Sequence, residues 1–164
     1  MKTISSAYQN KKFNFRVGAF ILDLSNNYIL LHKKKNSNYW MLPGGRLEYG
    51  ESTDDAIKRE IREELGLDLN PKLVLITENF FSYNEEEVHE IDFDFICQYE
   101  EKVNIEHEFS GLEGEYLIFK WVNKENIKNY NIIISTEKEY IMNYAFKENK
   151  IEDIKKYVIK KEGV

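Results

Sequence analysis

Apolar and polar positions switch between two periods along this chain. Residues 15–24 and 28–32 are dense in β-branched, aromatic and aliphatic side chains, and Ser25, Asn26 and Asn27 between them have the composition of a hairpin turn. Residues 36–38 open a polar loop. Trp40, Met41 and Leu42 then run into Pro43, Gly44 and Gly45, where a proline without an N–H and two glycines predict a turn of specific shape. The period next lengthens to that of a helix. Ser52 suits its N-cap, Asp54 and Asp55 its first turn, Ala56, Ile57, Ile61 and Leu65 its buried side, and Gly66 its C-terminal stop. After Pro71, residues 72–77 predict a strand. Residues 89–99 alternate, with Ile91, Phe93, Phe95, Cys97 and Tyr99 on one face and Glu90, Asp92, Asp94 and Gln98 on the other. Residues 116–122 are nearly all apolar, as in a strand covered on both faces. Thr136 and Glu139 have capping-box spacing ahead of a helix whose Tyr140, Ile141, Tyr144 and Ala145 face inward.

Strands, helix, strands, helix is the order of a sheet with a helix on each face, a three-layer α/β arrangement. At 164 residues the chain fits one domain, residues 1–164, with a polar lead-in at 1–13 and a lysine-rich tail at 150–164. The net charge of -6 disfavours a nucleic-acid partner, which normally meets a basic face. Anionic substrates stay open, because a bound cation reverses the local field. The lone cysteine, Cys97, excludes an internal disulfide and suits a reducing cytoplasm. No apolar run reaches the ~18–20 residues of a membrane-spanning helix.

The chemistry concentrates between Gly45 and Leu67. Glu60, Glu63 and Glu64 stand at i, i+3 and i+4, so three carboxylates project from one side of the helix and repel one another by ~0.2–0.5 kcal/mol per pair. Glutamates on a helix are ordinarily solvated surface. Grouped beside a structured glycine turn, they form instead a set of hard oxygen donors suited to Mg²⁺ and a phosphate substrate.

The whole stretch reads Gly45, five residues, Glu51, seven residues, then Arg59-Glu60-Ile61-Arg62-Glu63-Glu64-Leu65-Gly66-Leu67. It resembles the Nudix box, G-x5-E-x7-R-E-U-x-E-E-x-G-U with U aliphatic, at all nine fixed positions over 23 residues, far more constraint than a short glycine motif carries. Residues 40–44 are also similar to that family's approach to the box. The resemblance implies a Nudix α/β/α sandwich with a mixed sheet, the box forming loop, helix and loop. It implies Mg²⁺, with Mn²⁺ as a substitute, held by Glu60, Glu63, Glu64 and the Gly44 carbonyl. Glu60 is the first choice of base and Glu115 the second, with Glu113 competing; Arg59 and Glu51 position the carboxylates. The implied reaction is hydrolysis of a pyrophosphate linkage in a nucleoside diphosphate joined to another group, of ADP-ribose, nucleotide-sugar or dinucleotide type. A nucleoside triphosphate pyrophosphohydrolase is the nearest alternative, ahead of RNA 5′-end hydrolysis and a non-catalytic nucleotide sensor.

Other residues carry weaker expectations. Arg16 and Arg46 suit bidentate contact with substrate phosphates or ordinary ion pairs. Phe80, Phe81 and Tyr83 suit base stacking or core edge. His89 reads as a packed, hydrogen-bonded histidine, Glu85, Glu86 and Glu87 as a solvated loop, and Cys97 as inert core. Lys155, Lys156, Lys160 and Lys161 read as surface. A small nucleotide-like substrate is the expected partner, and a homodimer is left open.

Overall fold

A computed structural model describes residues 2–83, 85–101, 103, 105, 107–133, 135–146 and 155–159, with Tyr83, Ser135 and 155–159 given by backbone alone. The described strands are β1 (Ser5–Tyr8), β2 (Lys11–Asp23), β3 (Tyr28–Lys34), β4 (Gly44–Arg46), β5 (Lys72–Tyr83), β6 (Glu86–Gln98), β7 (Phe109–Gly111), β8 (Gly114–Asn123) and β9 (Lys155–Ile159). They join in one mixed sheet of order β7-β8-β3-β2-β6-β5-β9, with β1 and β4 also pairing to β2. The β2–β6 and β5–β9 pairs are parallel; the other pairs are antiparallel. The lead-in therefore carries a hairpin, and part of the tail adds an edge strand. Lys160 and Lys161 lie outside the described residues.

Helix α1 (Thr53–Leu65) begins and ends where its sequence dictates. The Ser52 hydroxyl accepts the Asp55 N–H at 3.1 Å, satisfying a donor that has no partner in the first turn. Gly66 closes the helix at φ 69°, a conformation costly for residues with a Cβ, and donates its N–H to the Arg62 carbonyl. Ala56, Ile57 and Ile61 pack on Val17, Ala19, Ile21, Leu30, Phe95 and Cys97, one face of the sheet. The opposite parity, Phe20, Leu22, Ile29 and Leu31, packs on Tyr140, Ile141 and Ala145. Those three belong to α2 (Ser135–Tyr140) and the π-helical turn that follows it at Ile141–Ala145. Two covered faces explain why residues 17–22 are apolar without interruption.

Several elements differ from their sequence expectation. β5 runs to Tyr83 rather than stopping at residue 77. In β8 only the second half is covered, and Tyr116 is exposed. Thr136 lies inside α2 rather than capping it, and Tyr144 is exposed while Tyr140, Ile141 and Ala145 are buried. The largest departure is in β6. Its polar parity, Glu90, Asp92 and Asp94, is buried beneath the α2 side of the sheet, because β2 and α2 bring Arg16 and Glu137 to meet it.

Candidate active site

Strands β2 and β3 leave their hairpin paired at only Leu22↔Ile29 and Asp23↔Tyr28, then diverge. The residue 40–46 segment fills the opening. Met41 exchanges backbone hydrogen bonds with His32 on one side, at 2.8 and 2.9 Å, and Pro43 accepts the Ala19 N–H at 2.9 Å on the other. β4 continues the contact, with Gly44 opposite Gly18 and Arg46 opposite Arg16. The turn before α1 is thereby held on both sides, and the helix carboxylates meet it from one face of the sheet.

Arg59 organises that carboxylate group. Its Nε donates to Glu51 Oε1 at 2.7 Å and its Nη2 to Glu51 Oε2 at 3.0 Å, a two-pronged pair. Nη1 reaches Glu60 Oε1 at 2.8 Å and Glu63 Oε2 at 3.0 Å, and Nη2 also reaches the Arg46 carbonyl at 3.2 Å. The Arg59 hydrogen bond holds the Glu51 carboxyl below its ordinary range. Burial instead pushes Glu60 up, against the pull of Arg59.

Glu64 is enclosed, 3% exposed, and its Oε2 accepts the Gly44 N–H at 3.2 Å. Burial, with the charge of Glu60, pushes its pKa up to about 8. Beneath it His32 Nδ1 lies 3.6 Å from Glu64 Oε1, too far for a hydrogen bond. Burial holds His32 near pKa 3, so without a cation the two meet as neutral groups at pH 7. The donor set fits a hard divalent cation: three carboxylates are brought to one loop, and the most buried of them is short of positive charge. Glu60, Glu63, Glu64 and the Gly44 carbonyl are the groups that would hold it.

On the other parity of β2 lies a cavity of about 320 Å³, with Lys12, Arg16, Lys34, Arg46, Tyr39 and Phe81 among its walls. Asn14 and Glu90 line it as well. Four cations converge here in a chain whose net charge is -6. Arg16 is mostly committed: its Nη1 pairs with Asp92 at 2.9 Å and its Nη2 donates to the Leu42 carbonyl at 2.9 Å. It therefore ties the residue 40–46 segment to β6. Behind it Asp92, Asp94 and Glu137 form a fully buried acidic group in which both oxygens of Asp94 and of Glu137 lack a hydrogen-bond partner. Burial drives Asp94 and Glu137 well above the usual carboxylate range.

The structure thus gathers Gly44, Glu51, Arg59, Glu60, Glu63 and Glu64 around one loop and puts Arg16 and Arg46 in the neighbouring cavity. Glu115 stands apart, 81% exposed and bonded to Lys35 at 2.8 Å, which holds its carboxyl below the ordinary range. The charge of Glu113 acts on both Glu60 and Glu64. Phe80 stacks on His89 at 4.3 Å, away from the cavity, which Phe81 lines instead. The Tyr83 side chain is outside the described set. His89 bonds Glu78 at 3.0 Å, and Cys97 is fully buried. Sequence reasoning missed His32, Asn14 and the buried acids. The one available signal was that Asn14, Arg16 and Gly18 alternate in β2 as Glu90, Asp92 and Asp94 do in β6.

Comparison with known proteins places this geometry in a family. The NUDIX domain model matches residues 12–142. The nucleoside triphosphatase NudI of Escherichia fergusonii is 34% identical over 111 residues, covering 60% of this chain and 72% of that protein. The 8-oxo-dGDP phosphatase NUDT18 of Danio rerio is 36% identical over 70 residues, 42% of this chain and 22% of that protein. Among solved structures, the MutT protein of Bacillus halodurans superposes with a TM-score of 0.61 at 22% identity, covering 88% of this chain and 86% of that one. With a full set of box residues around one loop and a domain match over most of its length, the chain belongs to the NUDIX domain family and is a Nudix hydrolase.

Proposed function

We propose that the protein hydrolyses a pyrophosphate linkage in a nucleoside triphosphate with the help of Mg²⁺, for which Mn²⁺ can substitute. The observation that carries this reading is the cationic cavity lying across the residue 40–46 segment from the box carboxylates. Its volume, about 320 Å³, is at the low end for ligand cavities and accommodates one nucleoside. The NudI relative, named a nucleoside triphosphatase, supports the same ordering. A nucleoside diphosphate linked to a sugar is the second reading, since an exposed Arg46 at the cavity wall serves either.

The bound cation would neutralise phosphate oxygens and make a water more acidic. Glu60, held by Arg59 and raised by burial, would accept that proton. Arg46 and Lys34 would meet the phosphate chain, and Glu113, rather than Glu115, would supply further negative charge beside Glu60 and Glu64. The chain's own residues thus orient groups and compensate charge, the main needs of phosphoryl chemistry.

Phosphate and pyrophosphate release should be measured on nucleoside triphosphates, ADP-ribose, UDP-glucose and a dinucleoside tetraphosphate, with Mg²⁺, with EDTA, and with Glu64→Gln. Turnover of triphosphates that EDTA and the substitution both abolish is the expected result. Turnover confined to the diphosphate-linked compounds would replace this reading with the second one.

A further inference from the structure

We infer that His32 is a positioning residue for the cation site: its Nδ1–H donates to Glu64 when that carboxylate holds a divalent cation. The inference rests on the cation placement above and names what fixes the most buried of the proposed ligands. It does not depend on which anhydride is cleaved.

Glu64 occupies a core position of its helix. It follows Ile57 and Ile61 at intervals of four and three residues, and all three are buried. Ile57 and Ile61 meet apolar partners from the sheet. Glu64 meets the imidazole of His32 instead, with Nδ1 3.6 Å from Oε1. The alternation of β3 puts that ring on the face that carries Leu30, the α1 side. The His32 backbone is held on both sides, by exchange of hydrogen bonds with Met41 and by the β3–β8 ladder, where it lies opposite Phe119. Its ring packs 5.4 Å from the ring of Phe119.

His32 is 3% exposed, and neither ring nitrogen has a hydrogen-bond partner among the described residues. Leaving a buried donor unpaired costs on the order of 1–3 kcal/mol, so an orphaned ring beside a carboxylate calls for a state in which the two are joined. Nδ1 has to come only about 0.7 Å closer to reach an ordinary N–H···O distance, a shift within the broad χ2 torsion of histidine. Glu64 Oε2 already accepts the Gly44 N–H at 3.2 Å. With a second N–H on Oε1, the plane of the carboxylate is fixed and its remaining lone pairs are left for a cation.

Histidine suits this position better than a permanent cation. Lysine or arginine at residue 32 would neutralise Glu64 itself and oppose a divalent ion. A neutral imidazole donates a hydrogen bond and leaves the carboxylate its full charge. Mg²⁺ prefers oxygen to nitrogen, so the ring serves Glu64 rather than the ion.

The first test is binding of Mn²⁺ without nucleotide, followed by loss of the free-ion electron paramagnetic resonance signal, with Glu64→Gln identifying the part that belongs to the box. His32→Phe keeps an aromatic ring against Phe119 and removes both nitrogens. It should weaken box binding by on the order of 10–100-fold. Its melting temperature in EDTA should stay at or above that of the wild type, since two unpaired polar atoms leave the core. A merely structural histidine would give the reverse pattern, lower stability with unchanged affinity. His32→Asn restores an N–H donor near Nδ1 and should bind Mn²⁺ more tightly than His32→Phe; His32→Leu replaces His32→Phe if the latter fails to fold. The second test is the histidine-ring ¹⁵N spectrum of the Mg²⁺-loaded wild type, which should place the His32 proton on Nδ1. Box binding by His32→Phe within about twofold of wild type, or a ring protonated on Nε2 with Mg²⁺ bound, would overturn the assignment and leave the cation placement standing. Mn²⁺ binding that Glu64→Gln does not change would remove the cation from the box and this inference with it.

Discussion

Arg59 shows how one side chain decides whether a carboxylate cluster is a liability or a site. Glu60, Glu63 and Glu64 repel one another on the helix, yet a single planar guanidinium meets Glu51, Glu60, Glu63 and a backbone carbonyl at 2.7–3.2 Å. A lysine ammonium offers a compact charge without the fork, so it cannot hold Glu51 and Glu60 in the same relative positions. Arg59→Lys should lower kcat at saturating Mg²⁺ by on the order of 10–100-fold. It should cost about 1–3 kcal/mol in urea unfolding, discounted toward the lower end because the pair is partly solvated. Unchanged kcat would mean that Arg59 is an ordinary surface charge.

Between α1 and β4 the clearance is set by a missing side chain. A Cβ on Gly45 would land on the Glu60 carboxylate, so helix and strand can approach this closely only with glycine at that position. The two elements carry different loads. α1 is anchored by its own cap and by Ala56, Ile57 and Ile61 in the core, while β4 is a three-residue strand held by β2. Added volume at residue 45 therefore displaces the Glu60 side chain before it disturbs the fold. Gly45→Ala should keep its melting temperature within a few degrees and lose on the order of 10²-fold in kcat, the cost of moving a reacting group by about an ångström. A variant that unfolds outright, or one with full activity, would contradict this division.

The molecule as a whole holds carboxylates that fold only at a cost to their charged forms. Glu64 is raised to about 8, and Asp94 and Glu137 are raised well above the usual range, all chiefly by burial. For a group whose folded pKa lies above its unfolded one, the stabilising contribution is full below the unfolded value, near 4, and is lost as pH rises through the folded value. His32, depressed to about 3, works in the opposite sense and weakens the fold as pH falls through 6.5. Above pH 6.5 the carboxylates act alone. The melting temperature in EDTA should therefore fall between pH 6.5 and 8.5, and Glu64→Gln should flatten the slope. A melting temperature that rises across this window would show that the buried acids are ionised and paired.

Much of this was legible in the sequence because it is local. Helix α1, its Ser52 cap, its Gly66 stop and the common side of Glu60, Glu63 and Glu64 follow from a 3.6-residue period and from backbone groups that need partners within one turn. The box spacing sufficed to assign the family. Strand partners were not legible, because the pattern of one strand states which residues share a face and leaves open what covers it. Glu90, Asp92 and Asp94 have the alternation of a half-exposed strand. Only the parallel β2–β6 register, with Arg16 opposite Asp92 and α2 folded over both, decided that they are buried. The same holds for Glu113, in the turn between β7 and β8, and Glu115, at the start of β8, of which only the first acts on the box carboxylates. Sequence spacing determined which groups carry the chemistry, since a helix fixes its own neighbours. Tertiary structure decided which charges are hidden from water and which cavity they face, since burial depends on chain segments far apart in sequence.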